Sequence, residues 1–400
     1  MPVEAVFRMK DGTIALTSDG SPTLWFSRDE GITWHSCGGA ISGNHPGVTQ
    51  LDDGRLFAFT RDTKVDGKMP YIISTDRGKT WDYKPSDFPP IHGGQRLVLL
   101  KLREGPLFFA SFADRGITIT DAAGVRRKVR GLFCAVSEDD GKTWPYRRLV
   151  TDDGPGRGVG SLNGYVFTMS QRTGEHLGYL SVCQATNGLI HLISSKQHYT
   201  FNLKWATTPA PALKYPPMPV RHIVETFDGP KLQNDGWIDY RSYTGRFNGK
   251  GQLSIYAPGR QSGINRAVGY GSFEAYFVLQ NFRFHPKARS YQGVGLIFED
   301  GLASKQGVYI REGDIGLGES PDLKLDKVPD VVKIKTVWNL KTKQWRVFYG
   351  LNGEEPVNEM PGSKKGMYMQ NPFTEGVGCA ILAQNAGFDI DYFELKPLPD

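Results

Sequence analysis

One eight-residue pattern, Ser-x-Asp-x-Gly-x-Thr-Trp, occurs three times in this chain, beginning at Ser27, Ser74 and Ser137. Five identical positions in three copies indicate an architecture built from one repeated supersecondary unit. The Ser and Asp side chains can accept hydrogen bonds from backbone N–H groups in a tight turn, and Gly adopts positive φ without steric cost. The Trp that follows is large enough to fill space between sheets. Each copy therefore predicts a hairpin corner with a structural role.

A second kind of turn precedes each copy, and the apolar runs between the turns have the length of β-strands. These turns are Asp11-Gly12, Asp53-Gly54 and Glu104-Gly105, with Asn187-Gly188 in a fourth, degenerate unit that ends at Trp205. The pattern predicts a β-propeller over residues 1–208, with four four-stranded units. A fifth unit is expected only if residues 150–177 contribute strands.

The repeated pattern does not recur after a proline-rich segment, PAPALKYPPMP, within residues 209–223. So many prolines exclude a helix or a central strand, so we expect a linker or a strap on a surface. Residues 224–400 contain strand-like runs with apolar residues at every second position, which predict an antiparallel β-sandwich. Four aromatic residues near its start either pack against the propeller, which we favour, or stack on sugar rings: Trp237, Tyr240, Tyr243 and Phe247.

Length, charge and cysteine content exclude several classes of protein. The 400 residues suit two domains, and the net charge of +6 is spread without the basic stripe typical of nucleic-acid binding. No segment approaches the roughly 20 apolar residues of a membrane helix, and no signal peptide is visible. The four cysteines show neither a C-x-x-C pair nor zinc spacing, so we expect no metal and no cofactor. Structural calcium has no motif behind it.

The repeated pattern resembles the Asp boxes, or BNR repeats, of the sialidase superfamily. The opening VETFDG and closing FDIDYFELKP of the second domain resemble the first and last strands of concanavalin A-like sandwiches. The resemblance implies an all-β, carbohydrate-active protein that is secreted or periplasmic. Sialidases have six blades, and their first-blade Phe/Tyr-Arg-Ile-Pro motif is absent here. The propeller is therefore expected to be partial, with a missing N-terminal segment or a partner chain.

Propellers bind ligands at one end of the central channel, and polar residues cluster where the inner strands begin and the second strands end. Gly178-Tyr179-Leu180-Ser181 resembles the Gly-Tyr-x-Ser segment of sialidases, which implies Tyr179 as nucleophile; the alternatives are a lining or packing residue. The candidate catalytic residues are Tyr179, Glu175, His198, Asp62 and Asp114. The candidate substrate-binding residues are Arg61, Arg96, His45, Arg115 and Lys196.

Three functions fit these residues. The first is an exo-acting glycoside hydrolase on an anionic glycan, with arginines holding the anion and Glu175 or His198 as the base for Tyr179. The second is a non-catalytic glycan-binding protein. The third is a polysaccharide lyase in which Tyr179 and His198 carry out the acid and base steps. A Tyr179 hydroxyl bonded to a carboxylate beside arginines would favour the hydrolase.

Overall fold

The computed structural model describes residues 3–19, 22–241, 245–285, 292–300, 305–318, 320–365, 367–368, 373 and 375–400. Tyr243 lies outside these described residues. The chain divides into two compact units. The first unit comprises Met1–Asp153 and Gln171–Lys214, and the second comprises Gly154–Ser170 and Tyr215–Asp400.

The first half of the chain is almost entirely β-strand. In chain order its elements are β1 (Val3–Arg8), β2 (Ile14–Ser18), β3 (Leu24–Ser27), β4 (His35–Ser36), β5 (Asn44–Gln50), β6 (Leu56–Arg61), β7 (Pro70–Ser74), β8 (Asp82–Pro85), β9 (Gln95–Arg96), β10 (Val98–Lys101), β11 (Leu107–Thr120), β12 (Arg126–Ser137), β13 (Tyr146–Leu149), β14 (Arg157–Gly160), a 3-10 helix (Leu162–Gly164), β15 (Val166–Met169), β16 (Gly178–Tyr179), β17 (Ser181–Gln184), β18 (Leu189–Ile193), β19 (His198–Asn202) and α1 (Leu203–Thr207).

The first unit is a four-blade β-propeller arrangement, as the repeated turns predict. Among the described residues, its blades are the antiparallel sheets β1–β4, β5–β8, β10–β13 and β17–β19. The inner strands β1, β5, β10 and β17 follow one another side by side. Each blade thus places the start of its first strand at one rim.

Two local features differ from the sequence prediction. The fourth blade has three strands within the described part of the chain, because the segment with Trp205 forms α1 instead of a fourth strand. The Asn202 side chain caps this helix by accepting a hydrogen bond from Trp205 N at 2.9 Å. In the third blade, β11 does not end at Asp114 but continues to Thr120 after a register shift.

The three repeated turns share one hydrogen-bond pattern. In the second copy, Gly78 N donates to Ser74 Oγ at 2.7 Å and Thr80 N donates to Asp76 Oδ1 at 2.9 Å. Trp81 Nε1 donates back to Gly78 O at 3.1 Å, and Gly78 has a φ of 87°. The serine, aspartate and glycine positions therefore satisfy the backbone of the turn, which explains why these residue types recur.

We expect the Asp76→Asn variant to melt at a lower temperature than the wild type at pH 7. Hydrogen bonds from Thr80 lower the pKa of Asp76 to about 2. A carboxyl with a depressed folded-state pKa stabilises the fold above its ordinary pKa of about 3.9, and this contribution disappears as the pH falls toward 2. The difference in melting temperature should therefore narrow on acidification.

The control for this prediction is Asp82→Asn, which changes an exposed aspartate whose side chain makes no hydrogen bond within the described residues. It should show no pH-dependent difference. Thermal unfolding followed by circular dichroism across the acidic range measures both variants. A difference for Asp76→Asn that stays constant down to pH 2 would contradict the assigned role of the carboxylate.

The second half of the chain is also mostly strand. Its elements are β20 (Ile223–Glu225), β21 (Ile238–Arg241), β22 (Arg246–Phe247), β23 (Leu253–Ala257), β24 (Ser262–Ala267), β25 (Ser272–Phe284), β26 (Gly293–Glu299), β27 (Lys305–Arg311), β28 (Asp314–Leu317), β29 (Ser320–Lys324), β30 (Val331–Asn339), β31 (Gln344–Leu351), β32 (Asn358–Glu359), α2 (Pro361–Lys364), β33 (Met367–Tyr368), β34 (Gly378–Gln384) and β35 (Ala386–Leu398).

These strands form a β-sandwich. One sheet has the order β22-β23-β35-β25-β30-β31-β32, with β20 paired to β35 and β33 to β31; the other has the order β21-β24-β34-β26-β27-β28-β29. The alternating residues of β25, Phe273, Ala275, Phe277 and Leu279, are all fully buried between the sheets. Period-two alternation therefore identified the buried face correctly.

The segment Gly154–Ser170 belongs to the second unit, although the sequence analysis placed it in the propeller. Its strands β14 and β15 pair with each other and supply no fifth blade. Asn265 Nδ2 donates a hydrogen bond to Gly164 O, and the rings of Tyr165 and Tyr240 meet edge to face at 5.0 Å. A Cβ on Gly164 would lie 1.9 Å from Asp239 O, so only glycine permits this approach.

The aromatic residues near the start of the sandwich pack inside the second unit. Tyr240 is buried against Tyr165, and the Trp237 ring contacts the Phe393 ring at 5.4 Å. Phe247 lies against Gly229. The expected interface between the two domains stays a prediction. In the described ranges, no helix combines the length and apolar character needed to span a membrane.

Candidate functional site

A short parallel pairing organises one rim of the propeller unit. Strand β9 pairs with β16, so that Gln95 lies opposite Gly178 and Arg96 opposite Tyr179. Gly178 N donates to Gly94 O at 2.9 Å, and Leu180 N donates to Arg96 O at 3.3 Å. The two loops that enter the third and fourth blades are thereby held together.

Tyr179 lies between a cation and an imidazole. The Arg96 guanidinium lies 5.9 Å from the centre of the Tyr179 ring, and the His45 ring meets it edge to face at 5.4 Å. Arg96 Nε also donates to Leu180 O at 2.9 Å, which fixes the arginine. Tyr179 is 37% exposed, whereas His45 is buried beside Asp19, with His45 Nδ1 3.5 Å from the carboxylate. The tyrosine ring is therefore positioned and accessible.

Arg61 and Asp62 lie at the end of β6, next to this tyrosine cluster. Arg61 Nε donates to Asp62 Oδ2 at 3.0 Å, and Arg61 Nη1 donates to Gln95 O at 3.2 Å. Asn44 Nδ2 donates to the same carboxylate oxygen at 2.9 Å. Burial alone would raise the pKa of Asp62, but the hydrogen bonds from Asn44 and Arg61 outweigh it and hold the pKa below its ordinary value. Asp62 is thus a carboxylate at neutral pH.

His92 and Asp114 form a hydrogen-bonded pair that Gln95 orients. Gln95 Nε2 donates to Asp114 Oδ1 at 2.7 Å and to His176 O at 2.9 Å, while His92 N donates to Gln95 Oε1 at 3.2 Å. The other Asp114 oxygen bonds His92 Nε2, and Gly93 O lies 2.9 Å from His92 Nδ1. Both ring nitrogens face acceptors, which favours the doubly protonated imidazolium.

The pKa of His92 is accordingly raised. The hydrogen bond to Asp114 is the main cause, burial opposes it, and Gly93 O and the charges of Asp114 and Asp62 add to it. The His92 side chain is 58% exposed, so it can reach a ligand. We call the connected set the rim site; its members are His45, Arg61, Asp62, His92, Gln95, Arg96, Asp114 and Tyr179.

Glu175 and His198 have other neighbours than the sequence analysis expected. Glu175 is fully buried and accepts a hydrogen bond from Tyr199 OH at 3.1 Å. His198 Nε2 lies 3.1 Å from His191 Nδ1, and the two rings stack at 5.3 Å. Over the described ranges, His198 makes no hydrogen bond or ring contact with Tyr179. The proposal that Glu175 or His198 acts as the base for Tyr179 therefore stays a prediction, and the hydrogen bonds seen for these two side chains are to Tyr199 and His191.

The remaining candidates lie at the surface. Arg115 follows Asp114 on β11 and is exposed, and Lys196 is exposed in the loop between β18 and β19. In the part of the chain that is described, no group of three or more His, Cys, Asp or Glu side chains is arranged to hold a metal ion.

Two members of the rim site were not selected from the sequence. Gln95 follows two glycines in a loop, and nothing in its pattern distinguishes it from a solvated polar residue. His92 lies three residues before Gln95 and belongs to no motif in the sequence. The only signal for either residue was its place just before an inner strand. Their importance follows from the nonlocal contacts with Asp114 and His176 O.

Comparison with known protein families identifies the first domain. Residues 2–192 match the family model of the BNR repeat-like domain. This segment is a BNR repeat-like domain. A comparison with curated proteins gave no match.

Several solved structures are weakly similar to the chain. A mutant of the GH43 protein BlXynB from Bacillus licheniformis is 14% identical, covers 98% of this chain and 85% of its own, and has a TM-score of 0.34. A bifunctional GH43-CE protein of Bacteroides eggerthii is 14% identical, with 99% of this chain and 54% of its own covered, and has a TM-score of 0.31. Arcelin-5, a lectin-like defense protein from Phaseolus vulgaris, is 12% identical, with 44% of this chain and 96% of its own covered, and has a TM-score of 0.30. At these TM-scores the likenesses support no functional inference.

Proposed function

We propose that the rim site of the BNR repeat-like domain hydrolyses a glycosidic bond in an anionic glycan. The observation that carries the proposal is the hydrogen-bonded chain that joins His92 and Asp114 through Gln95 to Arg61 and Asp62. The pKa of His92 is raised and that of Asp62 is lowered. In most glycoside hydrolases an acid protonates the leaving oxygen and a carboxylate activates water or forms a bond to the sugar. Titratable groups whose surroundings move their pKa values apart suit these two roles.

Each member of the rim site has a role in this proposal. His92 is the general acid, oriented by Asp114, and Asp62 is the ionised carboxylate that activates water. Arg61 and Arg96 attract the anionic group of the substrate, since guanidinium groups match carboxylate and sulfate geometry. The exposed Tyr179 ring offers a face on which a sugar ring can stack. Arg61 is oriented by Asp62 and Gln95 O, and Arg96 is oriented by Leu180 O.

A second candidate function is a polysaccharide lyase. It is favoured by the surroundings of Tyr179, whose ring lies between His45 and Arg96 and whose hydroxyl makes no hydrogen bond with a carboxylate within the described residues. In a lyase, a base removes the proton beside the uronate carboxylate and an acid protonates the leaving oxygen, so no water is consumed. The product then contains a carbon–carbon double bond.

The test is an activity screen of the full chain on sialyl, uronic and sulfated oligosaccharides. A hydrolase produces new reducing ends without ultraviolet absorbance from an unsaturated sugar. A lyase produces both signals together. Retention of an oligosaccharide in affinity electrophoresis without either product would indicate a binding protein, and that result would overturn the proposed hydrolysis.

The pH dependence of kcat should show a falling alkaline limb above the ordinary histidine pKa of about 6.5. The general acid must be protonated, so activity is lost as the pH rises through the raised pKa of His92. In the Asp114→Asn variant the main cause of that raised pKa is removed, and the alkaline limb should move to lower pH. An unchanged limb in Asp114→Asn would show that His92 is not the titrating acid.

A further inference from the structure

The first unit has a groove that shares no lining residue with the rim site. Its volume is about 740 Å³, within the range of roughly 300–1,000 Å³ typical of ligand pockets. It lies along the start of β13, between the extended β11–β12 hairpin and the residues that follow α1. The extension of β11 beyond Asp114, which the sequence did not predict, forms one of its walls.

The charges around this groove do not balance. Asp87 and Arg147 form an ion pair at 2.9 Å, with the guanidinium also lying 5.1 Å from the Phe88 ring. Lys68 and Arg126 line the groove as well, are exposed, and have no carboxylate partner among the described residues. Two uncompensated cations facing one concave surface produce a positive potential that attracts anions.

Aromatic rings provide the apolar part of the lining. Tyr146 lines the groove and is half-buried on β13; Trp144, the last residue of the third repeated turn, also lines it but is only 5% exposed. Aromatic side chains combine a large apolar face with a polar edge, which suits ligands that are themselves apolar on one face and polar at the rim. Pyranose rings have this character, and a simple inorganic anion would make no use of the rings.

We propose that this groove binds an acidic saccharide segment, with a sugar face against Tyr146 and carboxylate or sulfate groups at Lys68 and Arg126. It is a second saccharide-binding site, and its existence does not depend on the chemistry at the rim site. In a protein that acts on a polymeric glycan, such a site holds the chain in addition to the reacting sugar and raises its effective concentration at the domain.

Isothermal titration of the full chain tests the proposal with two probes, oligogalacturonate for carboxylates and a sulfated dextran oligosaccharide for sulfates. The double variant Lys68→Ala/Arg126→Ala should bind the preferred probe at least about tenfold more weakly, with a smaller salt dependence, since screened charge pairs are lost. The matched control is Lys84→Ala/Lys142→Ala, which removes the same charge from exposed positions outside the groove and should bind as wild type.

A second pair of variants tests the contact with the ring. Tyr146→Phe should retain both the affinity for the saccharide and the wild-type melting temperature. Tyr146→Ala should lose the affinity. Arg96→Ala alters the rim site and should leave unchanged the binding event that Lys68→Ala/Arg126→Ala weakens, so failure of the proposed hydrolysis and failure of this site are distinguishable. The proposal would be overturned if Lys68→Ala/Arg126→Ala and Lys84→Ala/Lys142→Ala weakened saccharide binding equally. It would also be overturned if only Arg96→Ala abolished binding.

Discussion

Replacing Trp144 by alanine is expected to lower the free energy of unfolding of the propeller unit by about 3–5 kcal/mol. Trp144 is 5% exposed and lies in an aromatic cluster at the junction of the second and third blades. Its ring is 5.5–6.4 Å from the rings of Phe57, Phe59, Phe88 and Phe109. Removing it leaves a cavity that these packed rings cannot easily fill, so the loss exceeds the transfer free energy of the side chain alone.

The matched control is Trp34→Ala, at the same position of the first repeated turn. Trp34 Nε1 donates to Gly31 O at 3.0 Å, as Trp144 Nε1 does to Gly141 O at 3.1 Å, so both substitutions remove the same hydrogen bond. Trp34 is only half-buried and makes no contact with another aromatic ring among the described residues. Trp34→Ala should lower the free energy of unfolding clearly less than Trp144→Ala does. Equal destabilisation in urea unfolding would show that the turn, and not the packing, dominates.

The His92→Gln variant is expected to lose about 10²- to 10⁴-fold in kcat, the usual contribution of a general acid. The Gln amide can still donate to Asp114, but it cannot transfer a proton. The KM should change much less, because the anion-binding arginines remain in place. The side chain is 58% exposed, so the melting temperature should be preserved.

The control for His92→Gln is His35→Gln, which alters an exposed histidine outside the rim site. It should retain wild-type kcat. Steady-state kinetics on the best substrate of the activity screen compares the two variants. Undiminished kcat in His92→Gln would remove His92 from the proposed mechanism and leave Asp114 as the remaining candidate acid.

The features that could be predicted from the sequence are those set by neighbouring residues. The repeated turns depend on a Ser, an Asp and a Gly within eight positions, and their hydrogen bonds close inside that segment. The buried face of β25 depends on alternation along one strand. The turns that separate the strands of the propeller are likewise set by residue pairs such as Asp53-Gly54. Local chemistry and strand periodicity were sufficient in each case.

The features that could not be predicted depend on contacts between distant residues or on a single local competition. The pairing of Arg96 with Tyr179 joins segments that no common pattern connects, and Gln95 gains its importance only through it. Asn202 can cap a helix or continue a strand, and here capping prevails. Gly164 looks like a turn residue, but it allows a close approach to Asp239 O that places its segment in the second unit.

The central claim, hydrolysis of an anionic glycan at the rim site, is tested most directly by running the reaction in water enriched in heavy oxygen. Mass spectrometry then locates the label in the products of the uronic, sulfated and sialyl oligosaccharides. Hydrolysis cleaves the glycosidic bond and adds one water, so the account predicts a saturated product carrying one solvent oxygen, formed by the wild type and nearly abolished in His92→Gln. An unsaturated, unlabelled product, or no product from any of the oligosaccharides, would contradict it.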